Sequence, residues 1–135
     1  MSIEDSKRVR YIRILAGILL LFGLSAFLGS LFLWGQGFLL SFPKGVDLRY
    51  PVADILINAP ASLIAALGLW NLKRYGYIAA QFVAGFYMYA SVEIFVQVIQ
   101  GGPPYALEIL IPQILAVVVA IPLVLYLWKV QSMFR

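Results

Sequence analysis

Cysteine and histidine are both missing from this 135-residue chain, and charge is scarce: 12% of residues are charged against 63% hydrophobic. Without cysteine there are no disulfides, no thiol redox chemistry and no thiolate metal ligands. Without histidine there is no imidazole acid–base catalysis and no histidine-ligated haem or zinc. Soluble domains carry roughly 25% charged residues, and this chain has too few to cover a water-facing surface. The solvent these side chains imply is lipid. The formal charge of +4 does not point to nucleic acid, because the basic residues sit at the ends of apolar segments rather than along one face.

A bilayer crossing takes about 20 apolar residues, and the chain divides into four such stretches. No charged residue lies between Ile14 and Pro43, and a first helix is expected over 11–34. Its length exceeds the apolar region of a secretory signal, roughly 7–15 residues, so an uncleaved anchor is expected. Glycines and prolines break the chain over 35–52. A second helix is expected over 52–72, with Pro60 inside it removing the donor for the Leu56 carbonyl. The Lys73–Arg74 turn leads to a third over 75–98. The GGPP break at 101–104 leads to a fourth over 105–128, with Pro112 and Pro122 inside. The expected fold is an all-α four-transmembrane-helix bundle in a single domain, with no space for a soluble one.

The polar residues inside these segments recur at helical spacing. Asp54, Asn58 and Ser62 fall at i, i+4 and i+8, as do Tyr89, Glu93 and Gln97, while Glu108 and Gln113 share the start of the fourth segment. A charge facing lipid at mid-membrane is unfavourable by about 2.5–3.5 kcal/mol on insertion scales, so these groups are expected to turn inward. Together with Arg49 and the deeper tyrosines Tyr87 and Tyr89 they define a candidate pocket, open away from the basic ends. A plainer account makes Asp54 a helix cap and Glu108 a first-turn acid. Asn58 and Gln97 then simply bond between helices. Glu93 fits that account less well, because a negative charge is disfavoured near a helix C-terminus. In the first helix Ala16, Gly23, Ser30 and Gly37 form a seam of small residues, suited to close packing within the bundle or against another subunit. Tyr11, Trp34, Tyr75, Tyr77, Tyr105, Tyr126 and Trp128 are placed as interfacial anchors. No nucleophile–base pair, phosphate loop or metal-ligand spacing is present, which weighs against an enzyme.

The stretches YIRILAGILLLFGL and ADILINAPASLIAALGLW, followed by the basic turn NLKRYGY, resemble the DoxX-like group of small four-helix membrane proteins. Arg13, Gly17, Asp54 and Gly68 are the corresponding positions. The group's usual lysine after the first helix and Gly-Pro-Gly in the last are absent here. Some of its members are linked to quinone-coupled redox complexes, so the resemblance implies a quinone as the cofactor to consider.

Three functions compete: binding an amphiphile such as a lipid or quinone, alone or as an accessory subunit; a redox-complex subunit whose carboxylates relay protons; and an oligomeric transporter or channel. The partners expected are the lipid bilayer and a homo-oligomer or larger membrane complex, not nucleic acid. The expected location is a prokaryotic cytoplasmic membrane. Lys7, Arg8, Arg10, Arg13, Lys73, Arg74, Lys129 and Arg135 lie on one side of the predicted bundle, and only Lys44 and Arg49 on the other. The positive-inside rule puts the first group, and both termini, in the cytoplasm. The chain has no native cysteine to confuse a labelling experiment. An impermeant thiol reagent should label Gly45→Cys and Gly102→Cys from outside intact cells, but not Asp5→Cys, Lys73→Cys or Ser132→Cys. Strong outside labelling at position 73 would reverse the orientation.

Overall fold

A computed structural model describes residues 3–35, 52–101 and 107–135. Helix α1 (Ile3–Gly35) leads, and a π-helical turn (Asp54–Asn58) runs directly into α2 (Ala59–Trp70). Helices α3 (Arg74–Ile99) and α4 (Leu107–Lys129) follow, and a short 3₁₀ turn (Gln131–Met133) precedes the last residues. There is no strand among the described residues. The 35–52 connection and most of the GGPP turn lie outside the described residues.

Three helical stretches, Ile3–Phe32, Arg74–Ile99 and Leu110–Lys129, are long and apolar enough to cross a membrane, while the Asp54–Trp70 stretch is shorter. With Val52 and Ala53 also helical, the second run is about 28 Å long at 1.5 Å per residue, close to a hydrocarbon core of about 30 Å. At 33 residues α1 is far longer than a crossing needs. It begins at Ile3 rather than near residue 11, because the basic stretch before the apolar run is itself helical. Glu4 and Asp5 in its first turn complement the helix dipole, and Glu4 pairs with Arg8 one turn on.

Consecutive helices pack antiparallel, α1 on α2, α2 on α3 and α3 on α4. The core is rich in small side chains: Ala16 on α1, Ala65 and Ala66 on α2, Ala80 and Ala84 on α3, and Ala116 and Ala120 on α4, with larger residues such as Ile12, Leu19, Leu69, Val83, Leu123 and Leu127 between them. The large apolar residues point outward, among them Leu21, Phe32, Leu67, Phe82, Val118 and Leu125. This inside-out arrangement suits a lipid-facing bundle, in which close backbone packing rather than apolar burial holds helices together. The seam of α1 turns inward as its small residues suggest. Ala16 and Ser30 are buried, and a Cβ on Gly23 would stand 2.9 Å from the Ser62 Cβ. Gly37 lies outside the described residues.

Among the described glycines, the closest approach to a neighbouring helix joins α2 to α3. A Cβ on Gly68 would overlap the Cα of Gly76, and a Cβ on Gly76 would overlap the Gly68 backbone. The turn between them is a Schellman-type cap: Lys73 N–H donates to the Gly68 carbonyl (2.8 Å) and Leu72 N–H to the Leu69 carbonyl (3.1 Å). Leu72 takes the left-handed position usual for glycine, at φ 54°, a conformation that disfavours a side chain by about 1–2 kcal/mol. The end of the chain braces this turn. Arg74 N–H donates to the Arg135 carbonyl (2.9 Å), Arg135 N–H donates to the Leu72 carbonyl (3.1 Å), and the Phe134 ring packs 5.4 Å from that of Tyr77. At the same end, Tyr126 of α4 bonds the Arg8 carbonyl of α1 (3.4 Å) and packs edge-on against Tyr11. All eight basic residues of the larger group therefore gather at one end of the bundle. Tyr77 and Tyr126 thus make internal packing contacts, whereas Tyr11, Tyr75 and Trp128 are exposed. Trp34 and Tyr105 lie outside the residues whose side chains are described.

Replacing Gly68 or Gly76 by alanine is expected to destabilise the fold by about 2 kcal/mol or more through overpacking. Gly85→Ala, where nothing stands within 4 Å of the new methyl group, is expected to be neutral or slightly stabilising. Reversible unfolding in mixed micelles compares the three; equal stability of Gly76→Ala and Gly85→Ala would remove the glycine contact as an organising feature.

Candidate functional site

Polar side chains in the middle of this apolar bundle form one connected chain. Pro60 lacks an N–H, and the helix answers it with a wider turn just upstream: Ala59 N–H bonds the Asp54 carbonyl five residues back. Through this turn the stripe remains on one side. Asn58 Nδ2 donates to Asp54 Oδ1 at 2.8 Å, and the Ser62 hydroxyl donates to Asn58 Oδ1 at 3.0 Å. The Ser62 Oγ also lies 3.0 Å from the Tyr87 hydroxyl on α3. The single Ser62 proton is directed to Asn58, so Tyr87 is the donor in that contact. The chain therefore has a direction: Tyr87 to Ser62 to Asn58, with Asn58 donating in turn to Asp54. Ser62 is fully buried and Asn58 and Tyr87 nearly so. Phe22 of α1 packs its ring 5.7 Å from that of Tyr87, so three helices meet at the Ser62–Tyr87 contact.

A second polar contact lies one turn further along α3. The Ser91 hydroxyl stands 3.1 Å from the Gln113 backbone oxygen and 3.3 Å from its Oε1, joining α3 to α4. The inner face of α3 thus runs through Gly76, Ala80, Ala84, Tyr87, Ser91 and Ile94. Ser91 was not singled out from the sequence. Its i+4 spacing from Tyr87 is the signal that could have found it.

Tyr89 requires a correction. It is 69% exposed and faces away from the bundle, because two residues along a helix turn the direction by about 200° and Tyr87 already occupies the inside. The Tyr89, Glu93 and Gln97 stripe consequently lies round the side of α3 from Tyr87 and Ser91, with Glu93 and Gln97 half-buried. Glu108 is in the first turn of α4, but its side chain, like all of Arg49, lies outside the described residues. Of the expected set, the structure brings together Asp54, Asn58, Ser62 and Tyr87, and separately ties Gln113 to α3. No group of three His, Cys, Asp or Glu side chains that could hold a metal gathers among the described residues.

Compared with protein-family models, curated proteins and solved structures, the chain matches none.

Side-chain hydrogen bonds between membrane helices average about 0.6 kcal/mol in double-mutant cycles, and a cycle can isolate the Ser62–Tyr87 contact. Tyr87→Phe and Ser62→Ala should each destabilise, and the double variant should lose less than their sum by roughly 0.5–1.5 kcal/mol. Strict additivity would mean that the two hydroxyls do not interact.

Proposed function

We propose that the chain is an integral membrane protein that crosses the bilayer four times, with both termini and the Lys73–Arg74 turn in the cytoplasm, and holds the polar head of an amphiphile at Asp54. The observation that carries this reading is the directed hydrogen-bond chain from Tyr87 to Asp54 inside a predominantly apolar bundle. The hydroxyl protons of Tyr87 and Ser62 are engaged within the chain. What its far end offers is a carboxyl group, held at Oδ1 by Asn58. An ionised carboxylate accepts hydrogen bonds, so it suits a head that donates them: the hydroxyls of a quinol, or the hydroxyl or amine of a lipid. Small-molecule sites typically combine apolar walls with a few fixed polar groups, and Asn58 supplies the fixation. The resemblance to DoxX-like proteins adds a quinol to the heads to be tried.

Proton relay along the same residues is the weaker reading. The Asn58 amide stands between the hydroxyls and Asp54, and an amide passes a proton only through its high-energy imidic form. The chain orients Asp54 better than it would feed it.

Thermal unfolding of the purified protein in detergent, with and without reduced quinones and lipids, tests the proposal. A ligand at a hundred times its Kd stabilises by about 2.7 kcal/mol. The wild type should show an upward shift in Tm, and Asp54→Asn should lose it while keeping its helical content. The absence of stabilisation by any amphiphile, or an equal shift in Asp54→Asn, would sink the idea.

A further inference from the structure

An open cleft among the described residues lies at the opposite, basic end from Asp54. It has a volume of about 500 Å³ and is lined by Ser6, Val9, Arg10, Arg13 and Ile14 of α1 and by Trp70 and Leu72 at the end of α2. Ser6, Arg10 and Arg13 fall at i, i+4 and i+7, so one face of α1 presents a hydroxyl and two guanidinium groups in a row. The Arg13 guanidinium lies 5.5 Å from the centre of the Trp70 ring. Stacking engages the face of a guanidinium and leaves the N–H groups on its edge free to bond an anion, in the forked geometry that fits phosphate. The aliphatic wall of the cleft continues into surface that is itself apolar, since Ile14 and Trp70 are about half exposed. Leu72, in the left-handed backbone position of the turn, lines the far side of the cleft.

We propose that this cleft is a binding site for one anionic phospholipid, with the phosphodiester held by Arg10, Arg13 and the Ser6 hydroxyl, and the glycerol and upper acyl chains against Ile14, Trp70 and Leu72. The site is separate from Asp54 and rests only on the membrane part of the preceding reading. A row of cations at a helix end would attract any anionic surface. The indole-stacked arginine beside an apolar wall distinguishes a seat for a single lipid from a diffuse basic patch, and basic clefts between helices at the membrane surface are suited to lipid head groups. A free phosphate would satisfy the arginines and leave the apolar wall unused, which favours the lipid.

The full chain is reconstituted into nanodiscs of phosphatidylcholine containing a minority of phosphatidylglycerol, and the lipids that remain bound after release into detergent are identified by native mass spectrometry. Incorporation into the discs reports the membrane reading on its own. The wild type should retain phosphatidylglycerol over phosphatidylcholine. Each of Arg10→Gln and Arg13→Gln should weaken retention about fivefold, the equivalent of about 1 kcal/mol per cation near a membrane surface. Lys7→Gln/Lys129→Gln, which removes two charges outside the cleft, should leave retention unchanged. Arg13→Lys and Trp70→Leu, which keep the charge but abolish the stacking, should each lower it. The proposal fails if phosphatidylglycerol is not preferred, if removing the two lysines lowers retention as much as removing the two arginines, or if inorganic phosphate displaces the lipid as effectively as added phosphatidylglycerol does.

Discussion

Two glycines in direct contact, Gly68 and Gly76, determine how far α2 and α3 can slide past one another, and the polar interior depends on that alignment. Ser62 stands six residues before Gly68, about 9 Å along the axis, and Tyr87 stands eleven after Gly76, about 16 Å. The mismatch is taken up by side-chain direction. Cβ atoms lean toward the N-terminus of their own helix, so Ser62 leans away from the turn and Tyr87 reaches back toward it, and their oxygens meet at 3.0 Å. A methyl group at either glycine would force the helices apart where the alignment is set. The strained cap at Leu72 and the chain end that bonds on both sides of the turn hold the same register from the outside.

In the proposed lipid setting this arrangement is understandable in energy as well as in geometry. Apolar burial gives little net drive for helices to associate when the surrounding solvent is itself apolar, so packing must come from close approach. The alanines, glycines and serines of the four inner faces provide it. Each buried hydroxyl contributes modestly to stability, but an unmatched one would be costly in the same place. The hydrogen bonds of Ser62 and Ser91 therefore select one pairing of helices over near alternatives more than they deepen its stability.

Much of the architecture was legible because long uncharged runs have few ways to satisfy their backbone, and Pro and Gly clusters interrupted them at the right places. The Asp54, Asn58 and Ser62 stripe was legible because its three members recur every four residues on a helix with few other polar groups. Tyr89 was misplaced for a related reason. The apolar character of α3 is spread around its whole circumference, so hydrophobicity alone could not say which of two nearby tyrosines faced inward. The inward side was marked instead by small residues at Gly76, Ala80, Ala84 and Ser91, a weaker and less familiar signal. The return of the chain end onto the Leu72 turn had no sequence signature, because five residues are too few to show a period and the contact is made by backbone atoms. Likewise, Pro60 announced a disturbance in α2, but not that the helix would absorb it by widening.

That widened turn has a consequence for how this chain tolerates change in length. A π turn is a helix carrying one residue more than its neighbours require. Deleting a residue within 54–58 would leave a continuous ordinary helix, slightly shorter, still able to pack Ser62, Ala66 and Leu69 against their neighbours. What would hardly change is the azimuth of everything upstream, because the wider turn already absorbs the extra residue and its removal leaves the flanking helix on nearly the same side. Scaffold and polar stripe would thus both absorb a deletion at 55–57, where Asp54 and Asn58 would still share a face three residues apart, whereas a deletion in the regular turns of α2 would rotate everything upstream by about 100°.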